Sequence, residues 1–314
     1  MSPDSHDAGP SRPNGTAGRF QMAERASVWI RGERRLNRDP KPCGFGYVSG
    51  RLALLAQSRA ALLVGWALAG WPVWRWFGAR LDDGSDEPWG IAALGLSLIF
   101  LPWRRLREPV PPRWAGTTAA VVAVAVVGFG VWPPLVRAGL WMLALVGLLG
   151  GTGPWLARTG LLLLGLPVTA TAEFFLGYPL RVAVAAGNAP VLRLLGWNVE
   201  RRGAALQWAG ETVLIDAPCS GIQMLWTGLA AASVLALAWR LGERASMALV
   251  GRAAGVVALA NGLRCTVLFI AEVKLHPVPG WLHEGIGLVL FAAALGVICV
   301  AGARLRRETG GPAA

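Results

Sequence analysis

Charged residues are scarce in this chain, and their scarcity excludes most soluble folds. Asp, Glu, Lys and Arg make up 15% of the 314 residues, whereas 54% are hydrophobic. A soluble domain carries roughly 25% charged residues. Several runs of about 20 mostly apolar residues are long enough to cross a hydrocarbon core of about 30 Å. The composition therefore predicts a polytopic membrane protein.

Several functional signatures are missing as well. The four cysteines and three histidines are not spaced as metal ligands, so we expect no metal and no cofactor. There is no phosphate-binding glycine motif, and no convincing internal repeat of the kind that many transporters show. The N-terminus has no signal-peptide pattern. The net charge of +12 is explained by arginine-rich cytoplasmic loops, so we expect no nucleic-acid partner.

Hydropathy divides the chain into three parts. Residues 1–50 are polar and predict a disordered cytoplasmic tail, and residues 304–314 predict a second, short one. Residues 51–303 predict an all-α transmembrane domain. Its apolar runs give about eight transmembrane helices, near residues 53–74, 88–103, 115–133, 138–152, 155–176, 218–239, 248–271 and 282–303.

Arginine in the loops sets the predicted orientation. With eight spans, most loop arginines fall on one face together with both termini, and that face is the cytoplasm: Arg104, Arg105, Arg107, Arg113, Arg158, Arg240, Arg244, Arg252, Arg304, Arg306 and Arg307. The segment 178–217 then lies outside. Its first part, 178–196, predicts an interfacial helix. The alternating residues that follow, with a turn at Arg202-Gly203, predict a small hairpin-like cap on the extracytoplasmic face.

Three scarce reactive side chains recur at one membrane depth. Cys219 opens the sixth span, Arg264 lies in the outer part of the seventh, and His283 opens the eighth. Because a helix rises about 1.5 Å per residue, all three fall within one or two turns of the outer face. A thiol, a guanidinium and an imidazole at one depth indicate cysteine-based acyl transfer.

That chemistry assigns a role to each residue. A thiol attacks as the thiolate, so Cys219 is the nucleophile and His283 the general base, then the acid. Arg264 stabilises the oxyanion or holds the substrate backbone. Three neighbours are expected to support them. Asp216 orients His283, Ser220 supplies a further hydrogen-bond donor, and Asn261 orients Arg264 or contacts the peptide.

The same residues carry a family resemblance. Ala217-Pro218-Cys219-Ser220-Gly221-Ile222, Asn261-Gly262-Leu263-Arg264 and His283-Glu284-Gly285, in this order, resemble the exosortase/archaeosortase family over about residues 155–303. The resemblance implies a multi-pass cell (inner) membrane enzyme, a cysteine protease or transpeptidase with Cys219, Arg264 and His283 as its catalytic residues. It also implies exported protein substrates with a C-terminal sorting signal, made of a short motif, a transmembrane helix and a basic tail. The acceptor is left open between water and an amine or hydroxyl on a lipid or glycan.

Each residue also has an ordinary interpretation. Cys219 alone is compatible with simple packing or with a disulfide to Cys265 in an oxidising compartment. Arg264 alone is compatible with a snorkelling interfacial residue. His276 is a competing imidazole in a proline-rich loop, and Glu173 is read as interfacial. For the whole chain, the alternatives are a transporter or a non-catalytic membrane component of surface-polymer export.

Overall fold

Most of the predicted apolar runs form helices. The computed structural model describes residues 58–82, 89–150, 153–275 and 278–309. Within these ranges there are ten α-helices: α1 Arg59–Ala69, α2 Trp71–Asp82, α3 Trp89–Ile99, α4 Pro112–Val127, α5 Pro134–Leu148, α6 Trp155–Leu164, α7 Thr169–Leu194, α8 Ile222–Ala238, α9 Glu243–Leu275 and α10 Gly280–Glu308. The predicted cytoplasmic tail 1–50 lies outside the described residues.

Two of these helices have the length and composition of complete membrane spans. They are α9, with 33 residues, and α10, with 29 residues. At about 1.5 Å per residue, each exceeds the hydrocarbon thickness of a bilayer. The other apolar helices are shorter, apart from the bent pair α6 and α7, which together make a third candidate span. The helical membrane architecture is therefore confirmed, and the count of eight spans stays a prediction.

The bend between α6 and α7 departs from the predicted segments. These two helices meet at 92° across a short break, where the sequence analysis expects one span at 155–176 and a separate interfacial helix at 178–196. Pro167 lies in the break; it lacks an N–H and disfavours the helical conformation of the residue before it. After the break, α7 continues without interruption to Leu194, past two internal prolines. The predicted interfacial helix is thus the second half of α7.

Two other boundaries also differ from the prediction. The first predicted span, 53–74, is divided at Gly70 into α1 and α2, and the indoles of Trp74 and Trp141 pack closely against this glycine. A side chain at position 70 would clash with both rings. At the other end of the chain, α10 continues to Glu308, beyond the predicted boundary at residue 303.

The segment before Cys219 forms a small antiparallel sheet. Strands β1 Glu200–Arg202, β2 Ala205–Trp208 and β3 Glu211–Leu214 pair in the order β1-β2-β3. The segment is therefore a small sheet, but not the hairpin of two strands predicted at 198–200 and 211–215: the unpredicted β2 lies between them and pairs with both, and a second turn lies at Ala209-Gly210. Both residues of this turn have positive φ, which a glycine adopts without strain.

The inner face of this sheet packs on the helices that carry the candidate site. Leu206 of β2 and Ile215, just after β3, are buried in one apolar cluster with Leu192 of α7 and Phe269 of α9. Cys219 belongs to the same cluster. The sheet therefore covers the end of α7 and α9 at which the Cys219 turn lies.

Candidate active site

Cys219 lies in a tight turn that leads into α8. Residues Ala217–Ser220 form a single 3-10 turn, and Cys219 is buried. Gly221 ends the turn with φ +83°, a left-handed conformation that favours glycine. A Cβ at this position would lie 2.8 Å from Nδ2 of Asn261. Both the backbone conformation and the close approach of α9 therefore require glycine directly after the Cys-Ser pair.

Two side chains of α9 hold the carbonyls of this turn. Asn261 donates from Nδ2 to the Cys219 carbonyl at 3.0 Å, and Arg264 donates from Nη1 to the Pro218 carbonyl at 3.0 Å. The two residues are three apart and so share a helix face. Asn261 thus fixes the backbone of the candidate nucleophile, and the roles expected for it from the sequence, orienting Arg264 or contacting the peptide, stay predictions.

Arg264 is a buried cation in contact with three elements. Its side chain lies between α9, the Cys219 turn and α10, where Gly287 approaches so closely that a Cβ would be 3.1 Å from Nε. Among the described residues, Nε of Arg264 is buried without a hydrogen-bond partner. A buried guanidinium with an unused N–H is a donor available to a substrate oxygen.

His283 reaches Cys219 from the first turn of α10. The imidazole lies close enough to the thiol to help lower the pKa of Cys219. Both residues line a cavity of about 260 Å³, together with Asp216 and Cys265. Among the described residues, no side-chain hydrogen bond joins Asp216 to His283, so the orienting role of Asp216 stays a prediction. His276, the competing imidazole, lies outside the described residues.

These neighbours lower the pKa of the Cys219 thiol to about 6. The largest cause is a hydrogen bond with the thiol of Cys265. Burial opposes the shift, while the positive charges of Arg264 and His283 and the hydrogen bond from His283 add to it. The sequence predicts the sixth span from residue 218, but the helix α8 begins only at Ile222, so Cys219 lies in the turn before it. The site therefore favours the thiolate, which is the nucleophilic form, at neutral pH.

The sequence analysis expects Ser220 to supply a further hydrogen-bond donor in the site. In the structure its hydroxyl is directed towards α7. Its hydroxyl donates to Oε2 of Glu173 in α7 at 2.8 Å, and the backbone N–H of Ile222 donates to the same hydroxyl at 3.4 Å. The other oxygen of Glu173 is buried without a hydrogen-bond partner in the described part of the chain. Glu173, read from the sequence as interfacial, thus holds the Cys219 turn from α7.

The sequence contained one signal for this contact. Glu173 falls at the outer end of an apolar run, at the depth expected for Cys219. Gly177 follows one helical turn later, and the Glu173 carboxylate lies over it, so a side chain there would have to displace the carboxylate. A glycine at that position leaves room for the carboxylate to lie along the helix surface.

A second cavity, of about 530 Å³, lies between α7 and α9 and borders the same turn. Its walls are mainly apolar and include Leu180, Val184, Val191, Leu259 and Leu263. Ser220 and Gly221 form its inner end. Leu259 is 77% exposed, so the cavity is open towards the outside of the helix bundle. Cys219 is thus placed between a small polar cavity under the sheet and a larger apolar groove.

A model of the transmembrane exosortase family matches residues 54–300. The matched region includes Cys219, Arg264 and His283, and it begins well before residue 155, where the motif resemblance begins. The short helices from α1 to α5 are therefore part of the same family domain. No curated protein and no solved structure matches the chain.

Proposed function

The chain belongs to the transmembrane exosortase family, and on that premise we propose that it cleaves C-terminal sorting signals of exported proteins through a thioacyl intermediate on Cys219. One observation carries the proposal. Arg264 of α9 donates to the turn that holds the thiol, and His283 of the next helix, α10, lines the same cavity as that thiol. Such a group of nucleophile, base and fixed cation is what acyl transfer requires.

The first half of the reaction forms and then resolves a tetrahedral adduct. The Cys219 thiolate attacks the carbonyl carbon of the scissile peptide bond, and the carbonyl oxygen becomes an oxyanion. When the adduct collapses, the C–N bond breaks and the imidazolium of His283 gives its proton to the leaving amine. The products are a thioester on Cys219 and the released signal segment.

The second half transfers the acyl group to an acceptor. Neutral His283 takes a proton from the acceptor, whose oxygen or nitrogen attacks the thioester carbon, and the C–S bond breaks to regenerate the thiolate. Water as acceptor gives a protease, whereas an amine or hydroxyl of a lipid or glycan gives a transpeptidase.

Arg264 is proposed to stabilise the oxyanion in both halves. Its Nη1 is fixed on the Pro218 carbonyl, one residue before the nucleophile, while its buried Nε has no partner among the described residues. A preorganised donor in a site shielded from water stabilises developing negative charge far better than an exposed one. The contact with Gly287 keeps the guanidinium in place.

The apolar groove between α7 and α9 suits the transmembrane part of such a substrate. It is open at the side of the bundle, has walls of leucine and valine, and ends at Ser220 and Gly221, next to the nucleophile. A helix lying there would bring the residues just before it to the Cys219 turn. We place this turn on the extracytoplasmic face, so that the basic tail of the substrate stays in the cytoplasm.

Replacing the nucleophile tests the proposal. A reporter with a sorting motif, a transmembrane helix and a basic tail is co-expressed with the chain, and its new C-terminus is identified by mass spectrometry. We expect processing with wild type and with Cys299→Ser, the control for a thiol elsewhere in α10, and none with Cys219→Ala. Normal processing by Cys219→Ala would overturn the proposal and favour a non-catalytic role. A free carboxylate at the new C-terminus indicates hydrolysis, and an added mass identifies the acceptor.

A further inference from the structure

The reaction proposed above leaves one thiol of the site without a role. Cys265 is buried in α9, directly after Arg264, and its side chain points at the Cys219 turn. Its thiol donates to the Cys219 carbonyl oxygen, with the sulfur 3.7 Å from that oxygen. Both cysteines are free and line the cavity that also holds His283.

The backbone around these two thiols is already fixed at short range. Asn261 and Arg264 of α9 hold the carbonyls of Cys219 and Pro218 at 3.0 Å, and Cys265 directly follows Arg264 on that helix. The helix that carries Cys265 is therefore hydrogen-bonded to the backbone that carries Cys219. The remaining free cysteine of the described residues, Cys299, lies in α10 and is not part of this cavity.

We propose that Cys219 and Cys265 form a redox modification site, in which a disulfide-bearing oxidant converts the two thiols to a reversible disulfide that inactivates the enzyme. This inference rests on the proposed function for its consequence and its compartment, because the oxidising side of the membrane is where disulfides persist. The pairing itself depends only on the two thiols.

The electrons balance in two exchanges. The Cys219 thiolate attacks one sulfur of the oxidant, forming a mixed disulfide and releasing one thiolate. Cys265 then loses its proton to solvent and attacks the Cys219 sulfur, forming the Cys219–Cys265 bond and releasing the second thiolate. Two cysteine thiols are oxidised and one oxidant disulfide is reduced to two thiols. A thiol reductant reverses both steps.

The second thiol gives the site a protective property. An isolated thiolate that is oxidised by peroxide proceeds from sulfenic to sulfinic acid, which is irreversible in most proteins. Cys265 intercepts the sulfenic acid of Cys219, because its thiol attacks that sulfur and releases water. The site thus returns to activity after reduction, whereas a site with the nucleophile alone loses it.

Peptide mapping of the full-length protein tests this inference without any turnover assay. The purified chain in detergent is incubated with oxidised glutathione, blocked with a maleimide and digested with trypsin. The sequence places Cys219 in the peptide 203–240 and Cys265 in the peptide 265–274. We expect wild type and Cys299→Ser to give these two peptides linked, without retained glutathione, and reduction to separate them.

Cys265→Ser and Cys265→Ala should instead keep one glutathione on the peptide 203–240, since no second thiol displaces it. Wild type that also keeps glutathione there, or that shows no modification of Cys219 at all, would overturn the inference. A linked peptide in a protein that never processes the reporter would retain the redox pair and reject the proposed function. If the protein processes the reporter but gives no linked peptide, the proposed function is retained and the redox pair is rejected.

Discussion

Helix α1 and helix α9 each bury an arginine, and the two sites differ in what surrounds the charge. Arg59 is 2% exposed; it donates to the carbonyls of Arg105 and Gly150 and pairs with Glu108 at 3.3 Å. Arg264 is 9% exposed, donates to one carbonyl, and lies against the turn that carries Cys219.

The difference shows that burial alone does not identify a functional arginine. Both guanidinium groups have a buried Nε without a partner among the described residues. Arg59, however, donates to three acceptors in two segments, the loop with Arg105 and Glu108 and the residues after α5 at Gly150, so it closes a structural junction. Arg264 has an N–H that is unpaired within the described ranges, and it lies next to the candidate nucleophile. Substitutions in these two regions therefore distinguish a loss of folding stability from a loss of catalysis.

The largest difference in turnover between the two sites is expected when each arginine is replaced by lysine. Arg264→Lys should lower turnover by about 10²–10³-fold, because an ammonium cannot hold Pro218 and also present a planar N–H to the oxyanion. Arg59→Lys should lower the Tm, with turnover falling only as the folded fraction falls. Turnover of the reporter and the Tm of each purified variant are the measurements. Wild-type turnover in Arg264→Lys would reduce Arg264 to a packing role.

A smaller but still large effect is expected from Gly221→Ala. A residue with a side chain in the left-handed region costs about 1–3 kcal/mol, and the new Cβ would also displace Asn261 from the Cys219 carbonyl. We expect a turnover loss of about tenfold or more together with a lower Tm. Gly296→Ala in α10 is the matched control, since its Cβ meets open space. Equal turnover and equal Tm in Gly221→Ala and Gly296→Ala would contradict the close approach of α9 to Gly221.

The contrast between the two regions also shows what the sequence could reveal. Scarcity identified Cys219, Arg264 and His283, because a reactive side chain in an apolar helix is conspicuous, and the structure brings the three together. Alternating polar and apolar residues predicted the sheet before the thiol. Both signals are local in the chain.

The missed features depend on how helices turn against one another. The 92° bend at 165–168 lies inside a continuous apolar run, where hydropathy gives no warning, although Pro167 does. At Gly70, where the first predicted span is divided, one of the two indoles that pack on the glycine, that of Trp141, comes from a distant helix. The Ser220–Glu173 hydrogen bond depends on the rotation of α7, and periodicity does not report the rotation of a helix that is apolar on most sides.

The lowered pKa of Cys219 predicts how its reactivity changes with pH. Because the pKa lies at about 6, the thiolate predominates above that pH and is protonated below it. The alkylation rate of Cys219 by iodoacetamide should rise as pH rises, reach half its maximum near pH 6 and be about tenfold lower one unit below the pKa. Timed labelling, read on the peptide 203–240, measures it. A midpoint near the ordinary value of about 8.5 would show that the neighbours do not stabilise the anion.

The smallest effect is expected at the far side of the Cys219 turn, where Glu173 accepts the Ser220 hydroxyl. Glu173→Ala should lower turnover by about tenfold, since a hydrogen bond to a charged group contributes about 1.5–3 kcal/mol, while Glu173→Gln keeps an acceptor and should stay within about threefold of wild type. Ser220→Ala should match Glu173→Ala, and the double variant should be no worse than either, because each removes the same contact. Additive losses would mean that the two residues act separately, and unchanged turnover in all variants would return Glu173 to the interfacial role that the sequence suggested.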